Sequence, residues 1–156
     1  MKLADFFDTA AFVADLTATD RNGVIRELID ALAASGSINE PDKDSIARAC
    51  INRENHGSTG FGKGVAVPHV KHPGIAKMVA TIGRSTAGVD FAALDRAPVY
   101  TVVMLLSPAD DSEMHLAAME RIFRHLQRDN FRRFLRQAQS REELKDLILE
   151  ADEMQE

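Results

Sequence analysis

Gly57-Ser58-Thr59-Gly60-Phe61-Gly62-Lys63-Gly64-Val65-Ala66-Val67-Pro68-His69-Val70-Lys71-His72 joins a glycine-rich loop to a short apolar run, then to a proline and a histidine. Four glycines within eight residues let the backbone take positive φ angles and approach a ligand or another chain closely. Val65-Ala66-Val67 reads as a short buried strand, and Pro68, which has no N–H, is expected to stop sheet pairing just before His69. The reading delivers His69 at a strand end, with a rigid proline behind it and flexible glycines before it.

Helical spacing precedes this stretch. Val24, Ile25, Leu28, Ile29 and Leu32 predict a helix from Thr19 to Ala34, with Thr19 as its cap and Gly36 ending it. A second helix is expected from about Asn39 to Asn55, with Pro41 in its first turn and Ile46, Ala49 and Cys50 turned inward. Nearer the N-terminus, Phe12, Val13 and Leu16 suggest an edge strand. Downstream, 76–82 reads as a strand, Gly83 to Arg96 as turn-rich, and Val99 to Leu106 as a central strand covered on both faces and ended by Pro108. A helix from about Glu113 to Arg128 follows, burying Met119, Ile122, Phe123 and Leu126. Phe131, Phe134 and Leu135 mark a short helix, and a capping box of Ser140 with Glu143 opens another that buries Leu144, Leu147 and Ile148. Strands alternating with helices imply an α/β fold, a mixed sheet flanked by helices on both faces. One domain is expected over 1–156, with its core at about 3–150.

Composition narrows the partners. Twenty-four acidic against 19 basic residues give a net charge of -5, which argues against a general nucleic-acid surface. No stretch approaches the roughly 20 apolar residues of a membrane span, and Met1-Lys2-Leu3 does not open a signal peptide, so a soluble, cytoplasmic protein is expected. The single Cys50 reads as helix core rather than a nucleophile.

Taken alone, the candidate site residues allow two readings each. His69 is either a hydrogen-bonded structural histidine or a nucleophile with one nitrogen held and the other bare. His115, following Asp110-Asp111-Ser112, is either an exposed helix-start histidine or an anion ligand at a helix N-terminus. Arg53 is a helix C-terminal cation or a phosphate-binding guanidinium. Ser58 and Thr59 supply hydroxyl donors or cap the turn. Two other chemistries fail. Gly57 to Gly64 nearly spells a Walker loop, but Gly64 stands where Ser or Thr should hold the metal, and the loop leaves a helix for a strand. A zinc site from His69, His72 and His115 is disfavoured because Lys71 would stand beside the cation. His56 and His125 read as surface residues. The arginines of 121–136 read first as flanking a packed helix, with a docking face as the alternative.

Arg53-Glu54, Gly57-Ser58-Thr59-Gly60-Phe61-Gly62 and Val65-Ala66-Val67-Pro68-His69 together resemble the phosphorylation-site motif of the IIA domains of the bacterial phosphotransferase system, fructose/mannitol/nitrogen-regulatory class. Gly88-Val89-Asp90-Phe91, Ala93-Leu94-Asp95, Pro98-Val99, Leu105-Leu106-Ser107-Pro108 and His115-Leu116 extend the resemblance over nearly the whole chain. It implies the same mixed α/β architecture. It also implies that His69 carries the phosphoryl group, that His115 and Arg53 stabilise its charge, and that Ser58, Thr59 and Gly60 line the phosphate site, with no metal or cofactor. The implied donor is the phosphohistidine protein HPr or a nitrogen-type HPr. The implied recipient is the IIB domain of a sugar permease or a regulated target. As the chain carries neither a IIB domain nor a membrane portion, the reading leans to regulation; a binding module that no longer turns over phosphate is the alternative. One position departs from the family pattern: Val70 stands where a small residue usually follows the histidine, and its branched side chain is expected to crowd the ring.

Overall fold

A computed structural model describes residues 1–154. Asp20, not Thr19, caps the first helix, α1 (Arg21–Ala34), by accepting from the Gly23 N–H at 2.6 Å. The helix ends as expected at Gly36, which takes φ 87°. The expected second helix begins as a short 3-10 turn, Glu40–Asp42, with Pro41 inside it, where no helical N–H is needed; α2 proper is Lys43–Asn55. It buries Ile46, Ala47 and Cys50, while Ala49 stays partly exposed.

Five strands form one mixed sheet: β1 (Gly60–Gly62), β2 (Val65–Ala66), β3 (His69–His72), β4 (Val79–Val89) and β5 (Val99–Pro108). The long apolar run is the central strand, as its composition requires. β4 lies antiparallel to β5, and β2 and β3 lie parallel to it. Those two share one register, since Val65 stands opposite Thr101 and His69 opposite Leu105. Pro68 therefore interrupts the ladder without ending it. It has no N–H to give, but its carbonyl still accepts from Leu105 N–H at 2.9 Å, and pairing resumes at His69. His69 opens a strand instead of closing one.

The segment from Gly83, expected to be turn-rich, continues β4. Gly83 sits in the strand because Leu28 and Leu16 press against it: a Cβ there would meet their methyls at 2.9 and 3.0 Å. Arg84 follows, buried, with Nε donating to Arg136 O and Nη1 to Ala14 O. Phe12, Val13 and Leu16 make no edge strand. Val13 forms a single bridge to Gly83, and Phe12 and Leu16 turn into the core.

Three helices close the other face: α3 (Ser112–Leu126), α4 (Asp129–Gln137) and α5 (Arg141–Glu153). Alternation along β5 builds two cores. Val102, Met104 and Leu106 pack with α1 and α2, whereas Val103 and Leu105 pack with α3, α4 and α5. His125, expected at the surface, is 3% exposed with its ring 5.7 Å from that of Phe131, since it lies on the same helical stripe as Ala118, Ile122 and Leu126. Phe134 is exposed, beneath the Arg133 guanidinium, while Met119, Phe123 and Leu147 are half-buried. At the start of α5, Ser140 Oγ accepts from Glu143 N–H, and the Glu143 carboxylate answers Gln139 N–H, one residue earlier than in a capping box.

Candidate active site

His69 and His115 come together from opposite ends of the sequence signal. His69 opens β3, and His115 lies in the first turn of α3, whose N-terminus Asp111 caps through Met114 N–H. Their ring centroids are 5.7 Å apart. The His69 Nδ1–H donates to the backbone two residues earlier, to Val67 O at 2.8 Å. The ring is thereby held as the tautomer whose Nε2 lone pair is bare. Burial lowers the His69 pKa from 6.5, the Val67 carbonyl pushes it back up, and the Arg53 charge lowers it again. His115 is also lowered from 6.5, by burial first and then by His69 and Lys71. Both shifts favour the neutral ring.

Arg53, in the last turn of α2, donates from Nη1 to Gly57 O at 2.7 Å, fixing the start of the glycine loop while its charge acts on His69. The loop donors have internal partners. Ser58 Oγ donates to Phe91 O and accepts from Gly60 N–H. Thr59 gives both its N–H and its hydroxyl to the Glu54 carboxylate. All three residues frame the site with donors already committed to internal partners. Gly60 also has no room for a side chain, since a Cβ would stand 2.9 Å from Ala93 Cβ.

His72 is not brought to the pair. Three residues along β3 it points to the other face, where Nε2 meets Ser45 Oγ at 3.0 Å and Nδ1 accepts from Gly74 N–H. Val70 points that way too, packed against the core beneath α1 and α2. It does not crowd the His69 ring.

Three further residues lie around the pair, none of them given a part from the sequence. Glu54 is 3% exposed and ties the glycine loop to α2; its place one turn after Ile46 and Cys50 on the buried stripe was the available signal. Lys71 shares the face of His69 by strand alternation and donates to Ser112 Oγ at 2.8 Å, at the head of α3. Ser107 shares the face of Val103 and Leu105, and its Oγ lies 2.7 Å from His115 Nδ1.

Residues 5–151 match the family described as "Phosphoenolpyruvate-dependent sugar phosphotransferase system, EIIA 2". The chain belongs to that family. It is 30% identical over 152 residues to the fructose-specific EIIABC component of Bacillus subtilis, covering 97% of this chain but only 24% of that much longer protein. It is 37% identical over 111 residues to a nitrogen regulatory protein of Pseudomonas aeruginosa, covering 71% and 72% of the two chains. The crystal structure of nitrogen regulatory protein IIA-Ntr from Neisseria meningitidis superposes with a TM-score of 0.83 at 25% identity, covering 94% of this chain and 98% of that one. Among the described residues, no helix is long and apolar enough to cross a membrane.

Proposed function

We propose that this EIIA domain is a phosphohistidine carrier that takes up a phosphoryl group on Nε2 of His69. The hydrogen bond from Nδ1–H to Val67 O, with the ring neutral, is the observation that carries the reading. The Nε2 lone pair attacks the phosphorus of a phosphohistidine on an HPr-like donor. The new N–P bond forms as the donor's N–P bond breaks, and that electron pair returns to the donor's nitrogen. No proton need leave His69, which retains the one on Nδ1. Phosphoryl transfer asks the protein chiefly for positioning and for charge stabilisation. Arg53 contributes a permanent cation, and His115 a ring N–H at a helix N-terminus.

The group then passes to a recipient, in the cytoplasm. Relatives include both a fructose-specific component and nitrogen regulatory proteins, so the recipient is either the IIB domain of a permease or a protein under regulation. The backbone follows IIA-Ntr, at a TM-score of 0.83, more nearly than the mannitol IIA proteins, at 0.77 and 0.75, which supports a regulatory recipient.

The test is incubation with phosphoenolpyruvate, Enzyme I and HPr, followed by intact mass and acid treatment. One acid-labile phosphate is expected on the wild type and none on His69→Ala. A wild type that takes no phosphate from a cognate donor would overturn the carrier and leave a binding module on the IIA fold.

A further inference from the structure

A neutral histidine donates from only one ring nitrogen, so the part given to His115 depends on where its proton sits. That is decided inside the core. Ser107, next to last in β5, is wholly buried, and its Oγ is 2.7 Å from Nδ1 of His115, itself only 7% exposed. A hydroxyl both donates and accepts, and burying one without a partner is costly. The two groups therefore hold each other, with the remaining ring nitrogen, Nε2, on the side away from Ser107.

We propose that Ser107 is a positioning residue that keeps Nε2 of His115 protonated in both states of the carrier. In the unphosphorylated protein its O–H donates to Nδ1, which leaves the single ring proton on Nε2. When a dianionic phosphoryl group on His69 favours a second proton on His115, taken from solvent, the hydroxyl rotates and its oxygen accepts from Nδ1–H. The charged and titratable groups acting on His115 are His69 and Lys71, both on β3, and both oppose that second proton until the phosphate is present. The first half concerns the resting protein alone; the second rests on the carrier reading.

Ring 15N NMR of labelled protein tests both halves. In the resting wild type, His115 should show an unprotonated Nδ1 and a protonated Nε2; a protonated Nδ1 with a bare Nε2 would overturn the proposal without any variant having to fold. After phosphorylation both nitrogens should be protonated near neutral pH. Ser107→Ala should lower the His115 titration midpoint in the phosphoprotein and slow phosphorylation about tenfold, the scale of one hydrogen bond to a charged group. Ser107→Thr, which keeps the hydroxyl, should restore both. An unchanged midpoint and rate in Ser107→Ala would overturn the proposal. If His69 takes up no phosphate at all, the carrier reading and the second half fall together, while the resting tautomer still decides the first half.

Discussion

Two opposing pressures act on the His69 ring. Burial and the Arg53 cation disfavour its charged form, and the Val67 carbonyl partly compensates. The net direction is downward, so the lone pair survives to lower pH than in a free histidine. Phosphorylation by HPr should be flat near pH 7 and fall on an acid limb with a midpoint below 6.5, measured as rate of phosphate uptake with donor pH effects subtracted. Stability follows the same sign. His69 and His115 bind protons more readily when unfolded, so unfolding free energy from urea titrations should be constant above about pH 7.5 and decline as pH falls through 6.5. A decline on the alkaline side instead would reverse the inferred shifts. His69 was legible as a candidate nucleophile from the Pro68-His69 step and its glycines. Its tautomer was not, because nothing in the spacing says that the ring will reach back to the Val67 carbonyl.

β3 sorts its residues between two environments. His69 and Lys71 face α3, while Val70 and His72 face α2. A branched residue directly after His69 thus supports the opposite core. Val70→Gly should leave the rate of His69 phosphorylation within about twofold and lower stability by about 2 kcal/mol, through lost packing and strand entropy. Chemical denaturation beside a single-turnover phosphorylation assay separates the two effects; a marked rise in rate would restore the steric view. The same element-scale logic explains the misreading of β4. Gly83, Arg84, Ser85 and Thr86 look like a turn in isolation. They form a strand because Gly83 admits Leu28 and Leu16, and Arg84 finds backbone carbonyls from two distant segments.

At the scale of the molecule, two cores clamp one sheet, and Cys50 reports on the one beneath α1 and α2. Burial, with a smaller effect from Glu54, pushes its thiol up to about 12. Iodoacetamide should leave the folded protein unmodified at pH 8 and alkylate Cys50 only through global unfolding, so its rate should rise with urea along the unfolding transition. Rapid labelling in native buffer would show that α2 opens on its own. Periodicity sufficed to identify the central strand, the principal helices and the α/β class, since those patterns record which side of each segment avoids water. The motif around His69, with Arg53 and His115, was likewise legible because local chain stiffness and residue chemistry carry it. Only the tertiary structure decided that Pro68 interrupts a ladder without ending it, that Ser58, Thr59 and Gly60 have internal partners, and that Glu54, Lys71 and Ser107 lie around the histidine pair. Those facts depend on which distant groups meet, and hydrogen bonds between residues far apart in the chain leave no period in the sequence.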